Sequence, residues 1–180
     1  MPVFGQQRQS YRWEVAALEQ ISLSLPFANS ISVLATKTNF VEVVYKTEGE
    51  YQKAVVLSRF IDENTVRIEE QLNPSFSPFQ DKLSAHKVMA TTLKISYPEK
   101  SSLSLMANSA RVDLDGLFPQ LAIQLDEGSL YLNSSFSRGK VKTNSAHIYA
   151  EELENPVFAF SKKGKITGQT TAKQNATLIL

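Results

Sequence analysis

The sequence predicts an all-β fold: a β-solenoid-like stack of about 18-residue rungs in the C-terminal half, preceded by an irregular, antiparallel strand-rich region. Three observations predict it. Residues Leu103 to Gly168 repeat with a constant spacing, a small residue recurs at the same place in each repeat, and the first hundred residues alternate between β-branched or aromatic runs and turn formers.

In the N-terminal part, Tyr11-Arg12-Trp13-Glu14-Val15 alternates as a strand does, whereas Ala16, Ala17, Leu18 and Glu19 favour helix; a strand is preferred over Tyr11 to Gln20. Strands are expected at Ile31 to Ala35, Phe40 to Lys46, Ala54 to Arg59, Thr65 to Glu70 and Val88 to Tyr97. Lys46-Thr47-Glu48-Gly49-Glu50 and Asp62-Glu63-Asn64 read as turns. Phe40 to Tyr45, Val55 to Leu57 and Val66 to Ile68 would then form an antiparallel meander that caps or flanks the stack. Asn73 to Phe79 contains two prolines and reads as a loop, its Phe76 and Phe79 packing back onto the body.

The C-terminal part is read from four matching segments. Asn108-Ser109-Ala110-Arg111-Val112-Asp113-Leu114 aligns with Asp126 to Leu132, Asn144 to Ala150 and Lys162 to Gly168. The corners fall at Ala110, Gly128, Ala146 and Gly164, where a small side chain lets the backbone turn closely. Period-two alternation after each corner sends Val112, Leu130, Ile148 and Ile166 to one inward ladder. A single rung cannot bury its own apolar face, so stability requires that several stack. A second strand precedes each corner, at Leu103 to Leu105, Leu121 to Leu125, Val141 to Thr143 and Phe158 to Phe160. The last is displaced by one residue, which predicts a bulge or altered corner after Pro156. Residues 1–100 and 101–180 are taken as two parts of one domain.

Composition excludes several classes of function. Nineteen Lys and Arg against eighteen Asp and Glu leave a net charge of +1, so no global field draws nucleic acid. The densest basic cluster, Lys162, Lys163 and Lys165 around Gly164, reads as a solvated corner. The absence of cysteine removes disulfides, zinc–thiolate sites and thiol nucleophiles. No window approaches the roughly 18 apolar residues of a membrane-spanning helix. The first residues, Met1 to Arg8, lack the pattern of a secretory signal. The expectation is a cytoplasmic chain, or one whose export signal lies outside it.

No residue is expected to be catalytic, to bind a metal or to hold a cofactor. His86 and His147 belong to no motif with a serine and a carboxylate, and His147 shares an outward column with Arg111, Ser129 and Lys165. The acid pairs Asp113 with Asp115, Asp126 with Glu127 and Glu151 with Glu152 could stand about 5 Å apart along a stack, as in retaining glycosidases. No column keeps acids on three neighbouring rungs, so a solvated surface is preferred. Phosphate loops, nucleophile elbows and calcium-binding nonapeptides are all missing. Tyr131 and Tyr149, aligned one rung apart and outward, could form an aromatic ladder that stacks on a sugar or a protein partner.

Asn29 to Val33, Leu93 to Pro98, Ala110 to Leu117 and the rungs that follow resemble the bacterial putative adhesin domain family, from about Trp13 onward. That group, similar to the head GIN and auto-transporter adhesin domains, is described as a β-solenoid of unknown function, usually exported or anchored at the bacterial envelope. Members commonly carry Ser-Gly or Asn-Gly at each corner, where this chain has Ser-Ala twice, Glu-Gly once and Lys-Gly once. The resemblance implies a non-enzymatic, envelope-associated binding or structural module with a protein or glycan partner, and it supplies no catalytic residues. A cytoplasmic scaffold assembling through solenoid or edge strands is the alternative, and a carbohydrate-active β-helix enzyme the next. The final Ala176-Thr177-Leu178-Ile179-Leu180 alternates without a closing rung, as at a truncated boundary or an edge paired with another copy.

Overall fold

The computed structural model describes residues 6–14, 19–49, 53–62, 64–76, 89–133, 139–151 and 157–168. Among them are thirteen strands and no helix. In chain order they are β1 (Gln6–Glu14), β2 (Gln20–Leu25), β3 (Ser30–Thr36), β4 (Phe40–Gly49), β5 (Val55–Asp62), β6 (Thr65–Leu72), β7 (Met89–Pro98), β8 (Ser102–Asp115), β9 (Leu121–Asn133), β10 (Gly139–Thr143), β11 (His147–Ala150), β12 (Val157–Ser161) and β13 (Ile166–Gly168).

Strand alternation places the core. In β2, Ile21, Leu23 and Leu25 are buried between half-buried Ser22 and Ser24, and Pro26, which has no N–H to donate, follows the last of them. β8 continues through 14 residues but turns where two successive residues, Asn108 and Ser109, both face out between buried Ala107 and Ala110. β9 bends at the same height, around Asp126 to Gly128. Each long strand therefore contributes to two faces of one open sheet, whose inward residues meet between them.

From Leu103 onward the pairing is parallel with a constant offset of 18 residues. Leu103 pairs with Leu121, Leu121 with Gly139 and Gly139 with Val157 on one face. Val112 pairs with Leu130, Leu130 with Ile148 and Ile148 with Ile166 on the other. Val112, Leu130 and Ile148 are buried, and Ile166 packs against them at the margin. Burying each such side chain contributes about 1.5–3 kcal/mol.

Four sequence expectations are corrected here. The first hundred residues are not simply antiparallel: β2 lies in parallel between β6 and β8, and β3 in parallel between β7 and β8, so both extend the parallel ladder. Their offsets to β8 are not 18, because β4 to β7 intervene in the chain, and a search for a fixed period passes over them. The expected meander is reduced to the β5–β6 hairpin, while β4 pairs with β1 and β7, whose Leu93 and Ile95 share its buried side. The turn at Lys46 begins later, since β4 runs on to Gly49, where φ is +99°. Finally, β12 shows no displacement: Val141 pairs with Ala159 in unbroken register, Ala159 is buried and Phe160 faces outward. Alignment by phenylalanine had placed the wrong parity inside.

Of the Asn73 to Phe79 loop, Phe76 is half-buried and Phe79 lies outside the described residues. The segment after β8 contains more than a turn. Gly116, at φ +107°, lies so close to Ala35 that a side chain would not fit, and Phe118 is buried with its ring 5.7 Å from that of Tyr97.

The predicted corners stack in the same pairs. Ala110 stands opposite Gly128, which has φ +104°, and a Cβ on Gly128 would collide with the Ala110 carbonyl oxygen. The Ala146 carbonyl blocks a Cβ on Gly164 likewise. Gly128→Ala is expected to cost about 2–4 kcal/mol in urea denaturation, combining a disfavoured φ with backbone overlap. Ala146→Gly adds no overlap and should cost no more than about 1 kcal/mol.

Candidate binding face

On the outward side of the second face, one column runs Ser32, Asp113, Tyr131, Tyr149, Thr167. The parallel register that aligns the inward ladder also aligns these residues. The Tyr131 and Tyr149 rings are stacked, 4.7 Å between centroids and 9° from parallel. The Arg111 guanidinium lies 4.3 Å from the centre of the Tyr131 ring, and its Nε and Nη2 each donate to Asp113 at 2.9 Å. Asp113 holds that guanidinium charged, raising its pKa. The result is an ordered series: carboxylate, guanidinium, ring, ring. Thr167, the next residue of the column, is small, and Tyr149 is exposed. His147 and Lys165 form the adjacent column, where the Lys165 N–H donates to His147 Nδ1 at 3.1 Å.

The described acids that the sequence singled out fall at separate places. Asp113 is engaged by Arg111 and faces Tyr131 across the ladder, and Asp115 faces Asn133. Asp126 and Glu127 are exposed on the bend of β9 and Glu151 is exposed after β11, while Glu152 and His86 lie outside the described residues. Among the described residues no group of three His, Cys, Asp or Glu side chains could hold a metal ion, and no helix could cross a membrane. Lys162, Lys163 and Lys165 are exposed around Gly164.

No family model matches the chain, and no curated protein matches it. Among solved structures, a putative cell adhesion protein from Clostridium sporogenes covers 93% of this chain and 100% of its own, with a TM-score of 0.56 and 11% identity. The chain shares the fold of that protein. A putative adhesin from Bacteroides fragilis covers 92% of this chain and 95% of its own at 9% identity, with a TM-score of 0.39. The likeness to the bacterial putative adhesin domain read from the sequence is thus also a likeness of fold.

Away from this face, one carboxyl group among the described residues is buried in the core. Glu70 follows Val66 and Ile68 on the inward side of β6. Its Oε2 accepts a 2.8 Å hydrogen bond from the Phe27 N–H at the β2–β3 corner. Its Oε1, the Tyr45 hydroxyl and the Thr91 hydroxyl are buried and have no hydrogen-bond partner among the described residues. Burial pushes the Glu70 carboxyl up to about 7, only partly offset by the Phe27 and Ala28 N–H groups and the nearby Tyr45 hydroxyl. Burial likewise raises Tyr45, and Glu70 raises it further. Because the folded pKa lies above the unfolded one, the folded state favours protonated Glu70. Its contribution is complete below pH ~4.5 and is lost as pH rises through 7, amounting to about 3 kcal/mol. Glu70→Gln should flatten the stability profile between pH 5 and 8, measured by urea denaturation, and should exceed the parent in stability at pH 8.

Proposed function

We propose that this chain is a single non-enzymatic β-solenoid domain of the putative adhesin type, acting at the bacterial cell envelope as a module that binds glycans through the Tyr131–Tyr149 face. The observation that supports it most directly is the stack of two tyrosine rings, with Arg111 over the first and the second, Tyr149, exposed. An aromatic face offers the apolar side of a sugar ring a rigid contact at small entropic cost, and neighbouring polar groups can accept or donate to its hydroxyls. His147, Lys165 and Thr167 are placed for that role beside Tyr149.

The solenoid reading rests on the constant 18-residue offset, with Ala110, Gly128, Ala146 and Gly164 as corners and Val112, Leu130, Ile148 and Ile166 as the inward ladder. The envelope assignment rests on family resemblance. Self-association is the second reading, favoured by the β12 and β13 margins, where each strand has one partner among the described residues.

A glycan array probed with the purified chain, followed by titration of the retained glycan, tests the proposal. Tyr149→Ala is expected to weaken binding at least tenfold, or about 1.4 kcal/mol, and Tyr131→Ala to weaken it less. The proposal fails if no glycan is retained, or if both folded variants bind as the parent does.

A further inference from the structure

The sheet path ends at two strands, β1 and β5, and they flank the same cleft. β1 closes over β4 from one face, Tyr11 opposite Val43, and β5 over β6 from the other, Arg59 opposite Ile68. Here Val43 and Ile68 are buried, but the residues above them, Tyr11, Trp13 and Leu57, are only half-buried, and Arg59 is exposed.

The resulting space has two neighbouring parts, both lined by Tyr11 and Leu57. The apolar part, of about 230 Å³, is lined by Tyr11, Trp13, Val43, Leu57, Ile68 and Arg59. The second, of about 400 Å³, adds a polar rim that includes Gln7, Gln9, Lys53 and Asn73. Together they have the size of a small-molecule site. Among the described residues that line them, Arg59 and Lys53 are cationic and none is acidic. The Arg59 guanidinium lies 4.9 Å from the centre of the Trp13 ring, at the opening of the apolar part.

We infer that this cleft binds a single-chain amphiphile with an anionic head, the acyl chain lying along Tyr11, Trp13, Val43, Leu57 and Ile68 and the carboxylate meeting Arg59 or Lys53. An apolar trough with Arg59 and Lys53 along it fits that chemistry: the chain gains about 25 cal/mol for each Å² removed from water, and the guanidinium binds a carboxylate through paired N–H donors. The site is separate from the tyrosine face and does not depend on the glycan reading.

Trp13 is the only tryptophan of the chain, so its emission reports on the cleft directly. Titration with dodecanoate below its micellar concentration, followed by Trp13 fluorescence and calorimetry, is expected to give saturable one-to-one binding. Dodecanol and dodecyltrimethylammonium should bind at least tenfold more weakly. Arg59→Gln together with Lys53→Gln changes only exposed side chains and should weaken dodecanoate at least tenfold by calorimetry, with an unchanged thermal melt. Four outcomes would overturn the inference: no saturable binding; equal response to the cationic and neutral amphiphiles; unaltered affinity in the double variant; or capture of anionic vesicles, or self-association, through these residues without binding of monomeric dodecanoate.

Discussion

Parallel pairing in constant register is the constraint from which the rest of the structure follows. Because each strand sits on the next without slippage, every position becomes a column, and the parity of a residue decides whether its whole column is inside or outside. Inside, Leu103 lies on Leu121 and Val112 on Leu130 and Ile148. Outside, the same register brings Tyr131 onto Tyr149 and leaves Arg111 to cover the first ring. A slip of one residue would bury Asp113 and expose Leu114. The corner residues enforce that register from a second direction, since Gly128 and Gly164 admit the carbonyls of Ala110 and Ala146 only without a Cβ.

Much of this was legible in the sequence, because the period and the corner residues are local signals repeated at fixed spacing. The strands of the first hundred residues were also legible as elements, from Ile31 to Tyr97. Their partners were not. Alternation in β4 shows that one side is buried but not against what, and the β2–β3 pair joins β8 from a distance in the chain that no fixed period marks. The error at β12 has a similar origin. Phe158 and Phe160 outweigh Ala159 in any hydrophobic count, yet the register already set by Val141 puts the alanine inside.

For the candidate sites, legibility followed the same division. Tyr131 and Tyr149 could be paired because they are 18 residues apart within the repeat, whereas Arg111, their cationic neighbour, is on the adjacent column and had been read only as a solvent position. The cleft between β1 and β5 had no sequence signal, since Trp13 and Arg59 come together only when two antiparallel strands end the sheet from opposite faces. Glu70 lies between these cases: its inward parity was readable, but its partner at Phe27 comes from another strand pair.

The most direct test of the register is a distance along one outward column. Ser32 and Thr167 occupy the same column, four strand spacings apart through Asp113, Tyr131 and Tyr149, which corresponds to roughly 19 Å. The chain has no cysteine, so Ser32→Cys with Thr167→Cys can be spin-labelled without competing sites. Double electron–electron resonance is predicted to give one population centred near about 20 Å, broadened by the label tethers. A distribution centred beyond about 35 Å would contradict a single register running from β3 to β13.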